Sequence, residues 1–221
     1  MTRLGLTAAV LAAGALLCST AKASTITVNA GPNATTFTTL ATGFPAPTYS
    51  SLTSSPFAVV TGAAVASVGA PGSAVFNTSN ISFLSSGPGT LIIWITLAGL
   101  TAPPVPEVVT HSGFTANDVV GPVSVTLATF LDPTNGVSPP NGSELLGTAM
   151  FTSMGTSFAD HVESTGSGPY SLQEVYVLVA TGAGANVNLT IDLSTTPVPE
   201  PASLGLLGAG LLGIFALKSR R

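Results

Sequence analysis

Residues able to perform acid–base or metal chemistry are few in this 221-residue chain. The only stretch where a histidine lies among carboxylates is Asp160-His161-Val162-Glu163, and the other histidine, His111, is remote from it in sequence. Alternate residues of a strand share a face, so His161 and Glu163 would lie together while Asp160 points away. Two ligands are too few for a structural or catalytic zinc site. An ordinary polar loop is the commoner interpretation, and we predict no metal and no cofactor.

Other acidic residues suggest weaker possibilities. The turn Asp132-Pro133-Thr134-Asn135-Gly136 offers oxygen ligands for calcium, although a turn that orders its own backbone is the more common role of such residues. A glycan-acting hydrolase would need two carboxylates about 5–10 Å apart. Scattered acids such as Glu144 and Glu174 neither support nor exclude that arrangement. We therefore assign no catalytic residue and predict that the chain is not an enzyme.

Three aromatic residues could stack on sugar rings. Tyr49, Trp94 and Tyr170 are the candidates, and they keep a carbohydrate-binding module open as an alternative function. Trp94 lies inside the unbroken apolar run LIIWIT at 91–96, which favours a buried core position over an exposed platform.

The charge distribution excludes nucleic acid as a partner. Only 6% of the residues are charged, and no Lys or Arg occurs between Lys22 and Lys218. Eight of the nine acidic residues lie between Ser24 and Thr196. Such a surface repels phosphate backbones and has no cations with which to release their counterions.

The middle of the chain is typical of an all-β protein. Short runs rich in Val, Ile, Thr and Phe alternate with Gly, Pro, Asn and Ser. We predict strands at Thr25–Asn29, Thr35–Ala41, Phe57–Ser67, Ala74–Phe83, Leu91–Ala98, Val119–Leu131, Leu145–Met154, Tyr170–Ala180 and Val187–Leu193. The last two are predicted to be neighbouring strands joined by a turn. This pattern favours a two-sheet β-sandwich of jelly-roll or Greek-key type over residues 24–196.

The amino end is predicted to be a signal peptide covering residues 1–23. Arg3 precedes an apolar run from Leu6 to Leu17, and Ala21 and Ala23 occupy the positions that a signal peptidase reads. We expect cleavage after Ala23, and we expect the Sec translocon and signal peptidase as partners. Cleavage would also remove Cys18, the only cysteine.

The carboxyl end combines an apolar segment with terminal basic residues. Residues 202–217 carry no charge, and as a helix they would be about 24 Å long, short of a hydrocarbon core of about 30 Å. Gly205, Ala209 and Gly213, spaced by four, would give this helix a smooth face for packing in the membrane. The basic residues Lys218, Arg220 and Arg221 predict a cytoplasmic carboxyl end.

The order of these parts resembles a known signal. Val198, Pro199, Glu200 and Pro201, then a short Gly/Leu-rich helix and a basic end, are similar to the PEP-CTERM sorting signal of exopolysaccharide-producing Gram-negative bacteria. The resemblance implies recognition by an exosortase, a membrane transpeptidase, with processing near Pro199-Glu200-Pro201. It further implies a transient inner-membrane anchor and delivery to the cell surface or extracellular matrix. We therefore expect an exported, non-enzymatic protein associated with exopolysaccharide, in biofilm or floc formation.

Overall fold

The computed structural model describes residues 24–30, 38–43, 48–54, 56–68, 74–101, 107–136, 143–166 and 168–198. Side chains are described for residues 56, 57 and 81 onward within these ranges. Most residues of the two predicted terminal signals lie outside them: Ala21, Ala23, Pro199, Glu200, Pro201, Gly205, Ala209, Gly213, Lys218, Arg220 and Arg221.

Twelve β-strands account for nearly all of the described residues, in which no helix occurs. They are β1 (Ser24–Ala30), β2 (Thr38–Gly43), β3 (Thr48–Ser54), β4 (Phe57–Val68), β5 (Ala74–Ser85), β6 (Gly89–Leu100), β7 (Glu107–Val120), β8 (Val123–Asp132), β9 (Glu144–Phe151), β10 (Gly155–Ser164), β11 (Tyr170–Ala180) and β12 (Asn186–Pro197). The predicted all-β class is confirmed.

The strands form two six-stranded sheets in which every pairing is antiparallel. Sheet I has the order β2-β1-β6-β11-β8-β9, and sheet II has the order β10-β7-β12-β5-β4-β3. Eight of the strands have the order of a jelly roll, which is β6-β11-β8-β9 in sheet I and β5-β12-β7-β10 in sheet II. The hairpins β1–β2 and β3–β4 extend one edge of each sheet. The two sheets pack as the predicted sandwich.

The core lies between the sheets because alternate residues of each strand point inward. Sheet I contributes residues such as Ile93, Leu127 and Leu178, and sheet II contributes residues such as Phe114 and Ile191, all at most 1% exposed. Burial of these side chains is the main stabilising contribution to such a fold. The outward-facing alternate residues are then available for other roles.

The sequence prediction missed one strand boundary. Residues 119–131 were expected to form one strand, but Gly121 and Pro122 separate β7 from β8. Gly121 has a φ of 87°, and a Cβ there would lie 2.7 Å from the carbonyl oxygen of Gly184. Proline also lacks the N–H that a ladder needs. The prediction also missed β3, most of β7, and β10, where polar residues such as Thr, Ser and Asn mask the period-two pattern.

The expected pairing of the last two strands is wrong. The strand β11 lies in sheet I and β12 in sheet II, so residues 181–185 cross between the sheets. This connection is held by the backbone of Ser85, which donates to Ala185 O at 2.8 Å and accepts from Gly184 N at 2.8 Å. Strands that alternate in polarity fit an in-sheet hairpin and a between-sheet arch equally well, so the local pattern does not distinguish them.

Candidate functional site

Glu174, an acid whose pKa is raised well above its ordinary value, lies inside the sandwich. It is 0% exposed on the inner side of β11, opposite Thr129 of β8 and Ile95 of β6. The hydroxyl of Tyr176 donates to Glu174 Oε2 at 3.4 Å. Burial raises the pKa of Glu174 well above its ordinary value, the charge of Asp192 raises this pKa further, and the Tyr176 hydrogen bond opposes the rise. The neutral acid is therefore favoured in the folded state.

Polar side chains near Glu174 link the two sheets. Ser112 Oγ of β7 and Thr129 Oγ1 of β8 lie 2.7 Å apart in a buried hydrogen bond. Tyr170 of β11 hydrogen-bonds Thr195 of β12, and burial raises the pKa of Tyr170 to about 12 against the effect of that bond. Buried polar groups with partners add rigidity and specificity to a core.

The histidine cluster divides between the two sides of sheet II. His161 Nε2 lies 2.7 Å from Glu163 Oε1, which confirms that these two share a side. Asp160 points the opposite way, and its Oδ1 lies 2.8 Å from Nδ1 of His111. The four residues lie on strands β7 and β10 and not on a loop. Within the described ranges, no three His, Cys, Asp or Glu residues come together as a metal site would require.

The acidic turn after β8 orders its own backbone. Asp132 Oδ1 accepts hydrogen bonds from the N–H and the hydroxyl of Thr134 at 2.7 and 2.6 Å, and Oδ2 accepts from Gly136 N at 3.1 Å. Asn135 has a φ of 61°, and its Oδ1 accepts from Gly99 N at 2.5 Å. Because these oxygens already have backbone partners, the structure favours the turn interpretation over a calcium site.

Two of the predicted aromatic candidates are buried. Trp94 is 6% exposed, and its ring stacks on Phe130 with 6.0 Å between centroids. Tyr170 is 1% exposed, so its expected role as a stacking platform is wrong because both of its ring faces are covered. The side chain of Tyr49 lies outside the described residues. Of the two candidate hydrolase acids, Glu144 is exposed at the start of edge strand β9, whereas Glu174 is in the core.

The outer side of sheet II presents a regular array that the sequence analysis did not identify. Three rows cross β10, β7 and β12, and we call these nine residues the polar face: Thr156-Thr115-Thr190, Phe158-Gly113-Asp192 and Asp160-His111-Ser194. Phe158 is 79% exposed. The missed signal was the facing pair of segments HSGFT and SFADH, in which a glycine lies opposite an aromatic residue.

The environment of the polar face is acidic and rich in hydrogen-bonding groups. Desolvation by its neighbours raises the pKa of Asp192 above its ordinary value. Beyond Thr190, Asn117 Nδ2 donates to Asn188 Oδ1 at 2.9 Å, and Asn188 Nδ2 donates to Ser82 Oγ at 3.0 Å. The array of amides and hydroxyls therefore continues toward β5.

The sorting residues begin where β12 ends. Val198 N donates to Glu107 O at 3.3 Å, so the backbone remains attached to sheet II up to the residue before Pro199. Among the residues that the structure describes, no helix is both long and apolar enough to cross a membrane. The predicted helix at 202–217 lies outside the described residues.

Comparison with solved structures finds only distant similarity. One match is TmCBM61 in complex with β-1,4-galactotriose, at 12% identity and a TM-score of 0.30, covering 63% of this chain and 88% of that chain. Another is the C-terminal CBM6 of LamC, a marine laminarinase from Zobellia galactanivorans, at 14% identity and 0.25, covering 61% and 88%. A third is the Cowpea mosaic virus top component, at 10% identity and 0.24, covering 61% and 80%. Similarity at this level carries no argument about function.

Comparison at the sequence level is more specific. No curated protein matches the chain. Residues 197–221 match the family model of the PEP-CTERM protein-sorting motif. Such a motif implies an exported, exosortase-processed protein with a membrane-anchoring sorting signal at its carboxyl end. The chain therefore carries a PEP-CTERM protein-sorting motif at residues 197–221, as the resemblance of its Pro-Glu-Pro segment predicted.

Proposed function

We propose that this chain is a non-enzymatic protein of the cell surface or extracellular matrix, associated with exopolysaccharide in biofilm or floc formation. The observation that carries the proposal is the sorting motif at residues 197–221. In this proposal the Sec translocon and signal peptidase act on residues 1–23. The carboxyl-terminal helix then holds the domain outside the inner membrane until an exosortase processes it near Pro199-Glu200-Pro201.

The positions of the titratable groups support a non-enzymatic role. Catalytic acids and bases need access to a substrate and a partner that tunes them. Glu174 has a perturbed pKa but is buried between the sheets. The pairs His111–Asp160 and His161–Glu163 are hydrogen-bonded contacts at 2.8 and 2.7 Å on opposite sides of sheet II. A hydrolase that uses Glu174 would require the sandwich to open.

Carbohydrate binding is a second candidate, favoured by the polar face. An exposed aromatic ring beside carboxylates and hydroxyls suits a ligand that has both C–H faces and hydroxyl groups. This activity would also give the exported domain a means of staying in a polysaccharide matrix.

The sorting step is tested by fractionating the native host. We expect the wild-type protein in the matrix fraction, and we expect Pro199→Ala/Pro201→Ala and an exosortase deletion to retain it in the membrane fraction. Thr196→Ala, just before the motif, is the matched control and should behave as wild type. Unchanged fractionation in the exosortase deletion would overturn the sorting proposal. Unchanged cell aggregation and matrix composition after deletion of the gene itself would overturn the matrix role.

A further inference from the structure

Phe158 is held across the sheet instead of packing into the core. It lies on the outer side of edge strand β10, directly opposite Gly113 of β7. A Cβ on Gly113 would lie 3.5 Å from Phe158 Cε1 and 3.6 Å from Asp192 Cβ. The ring therefore extends over the backbone of β7 toward Asp192, with 79% of the residue exposed. Its position is defined by the glycine beneath it and leaves the outer face of the ring open.

Hydrogen-bonding groups surround this ring on both sides. The row with Asp160 and His111 lies about 6.8 Å along the strands in one direction, and the threonine row lies about the same distance in the other. His111 Nδ1 and Asp160 Oδ1 are hydrogen-bonded at 2.8 Å. Each carboxylate has two acceptor oxygens, so Asp160 keeps acceptor capacity for a ligand hydroxyl.

This combination matches the chemistry of a pyranose ring. The C–H groups on one side of a hexopyranose carry partial positive charge and pack against the negative face of an aromatic ring. Its equatorial hydroxyls project sideways, where they can donate to carboxylates and accept from hydroxyl groups. Phe158 would supply the stacking surface, while Asp192 and Asp160 would supply the acceptors.

The carboxylates of the polar face disfavour anionic polysaccharides. Two of the three ionisable groups in the rows at the ring are the carboxylates Asp192 and Asp160, and the third, His111, is already hydrogen-bonded to Asp160 at 2.8 Å. No Lys or Arg occurs between Lys22 and Lys218. A uronate or sulfate on the ligand would meet like charge with no Lys or Arg to offset it. A neutral sugar carries no such penalty.

We propose that the polar face binds a neutral polysaccharide, with one pyranose ring stacked on Phe158 and its hydroxyls donating to Asp192 and Asp160. This inference rests on the proposed association with exopolysaccharide and assigns it a site and a ligand class. The threonine row, Thr156, Thr115 and Thr190, would contact the next sugar of the polysaccharide.

Affinity gel electrophoresis of the full chain tests the site. The gels would contain dextran, galactomannan, alginate or the polysaccharide secreted by the native host, in a polyoxyethylene detergent that has no sugar headgroup. We expect retardation by a neutral polymer, weakened about tenfold or more by Phe158→Ala and retained by Phe158→Tyr, which keeps the ring. Val162→Ala is the matched control, since Val162 lies on the same side of β10 and is 56% exposed. Asp192→Asn should weaken binding by about tenfold through loss of a charged acceptor.

Each alternative result has a distinct meaning. Binding that is unaffected by Phe158→Ala would overturn the site and leave the exopolysaccharide association standing. Retardation by alginate alone would overturn the neutral ligand class. No retardation by any of the four polymers would overturn the proposal, whereas the matrix role would still be judged by the effect of deleting the gene on aggregation and matrix composition. A far-ultraviolet circular dichroism melt for each variant shows that a loss of binding is not a loss of fold.

Discussion

Replacing the buried acid with its neutral isostere, Glu174→Gln, should change how stability depends on pH. Burial raises the folded-state pKa of Glu174 well above that of the unfolded chain, with the charge of Asp192 adding to the rise. Below the unfolded-state pKa, Glu174 is protonated in both states and imposes no cost. As pH rises above it, the unfolded chain loses a proton that the folded protein retains. The free energy of unfolding then falls by up to about 1.4 kcal/mol per pH unit, until the folded-state pKa is reached.

The variant lacks this dependence because glutamine does not titrate. Its amide oxygen can still accept the Tyr176 hydroxyl, so at pH 4 the two proteins should differ by no more than about 1 kcal/mol. Glu174→Gln should then become the more stable protein, by a margin that grows with pH. The raised pKa of Asp192 arises from its own desolvation. While Glu174 is neutral it adds no charge to Asp192, so below the folded-state pKa of Glu174 the Asp192 contribution is the same in both proteins and cancels in the difference.

Urea denaturation followed by the fluorescence of the single tryptophan measures this difference. Trp94 is 6% exposed when folded, so its emission should report unfolding. Midpoints of the full chain and the variant would be compared at pH 4, 5, 6 and 7 in the same detergent. A stability gap that stays constant across this range would show that folding does not raise the pKa of Glu174. A variant that is less stable at pH 7 than at pH 4, relative to wild type, would show that the folded protein favours the ionised carboxylate.

Three further experiments test the packing, the intersheet hydrogen bond and the turn. Gly147→Ala should lower the free energy of unfolding by about 1–3 kcal/mol, because its Cβ would lie 2.7 Å from Ala159 Cβ on the opposite sheet. Gly168→Ala is the control, since a Cβ there would have nothing within 4 Å. Equal urea midpoints for the two variants would contradict close packing at Gly147. In a double-mutant cycle, Thr129→Val should lower the free energy of unfolding by about 1–3 kcal/mol because it leaves Ser112 Oγ buried without its hydrogen-bond partner. Adding Ser112→Ala should recover most of that loss. Additive losses would show that Thr129 and Ser112 are not energetically coupled. Asp132→Ala removes the acceptor of three hydrogen bonds and should lower the free energy of unfolding by about 2 kcal/mol, measured by thermal melting. Calcium should not change the melting temperature of the wild type. A calcium-dependent melting temperature would contradict the turn interpretation.

Much of the fold could be predicted because the central strands are distinct in sequence: β6 contains the unbroken apolar run LIIWIT, and apolar residues alternate along β12. On the predicted strand Tyr170–Ala180, the alternate residues Leu172, Glu174, Tyr176 and Leu178 are all buried between the sheets. Strand β10 was missed because GTSFADHVES has outward residues as apolar as its inward ones. Its place in the fold comes from pairing with β7, which is a nonlocal property. The same limitation hid the crossing of residues 181–185 between the sheets.

The candidate site was less predictable than the fold. The polar face exists because β10, β7 and β12 align Phe158, Gly113 and Asp192 in one row, although they are far apart in the chain. Local sequence reasoning could only select aromatic residues one at a time, and it selected Tyr170, whose ring is buried. The sorting motif was predictable because its parts follow one another directly in sequence.

Exosortase processing is best tested by mass spectrometry of the mature protein isolated from its native host. We expect an amino terminus at Ser24 and a carboxyl terminus within the Pro199-Glu200-Pro201 segment, immediately after the backbone contact of Val198 with Glu107. A mature chain that still ends at Arg221 would contradict exosortase processing of the motif at residues 197–221.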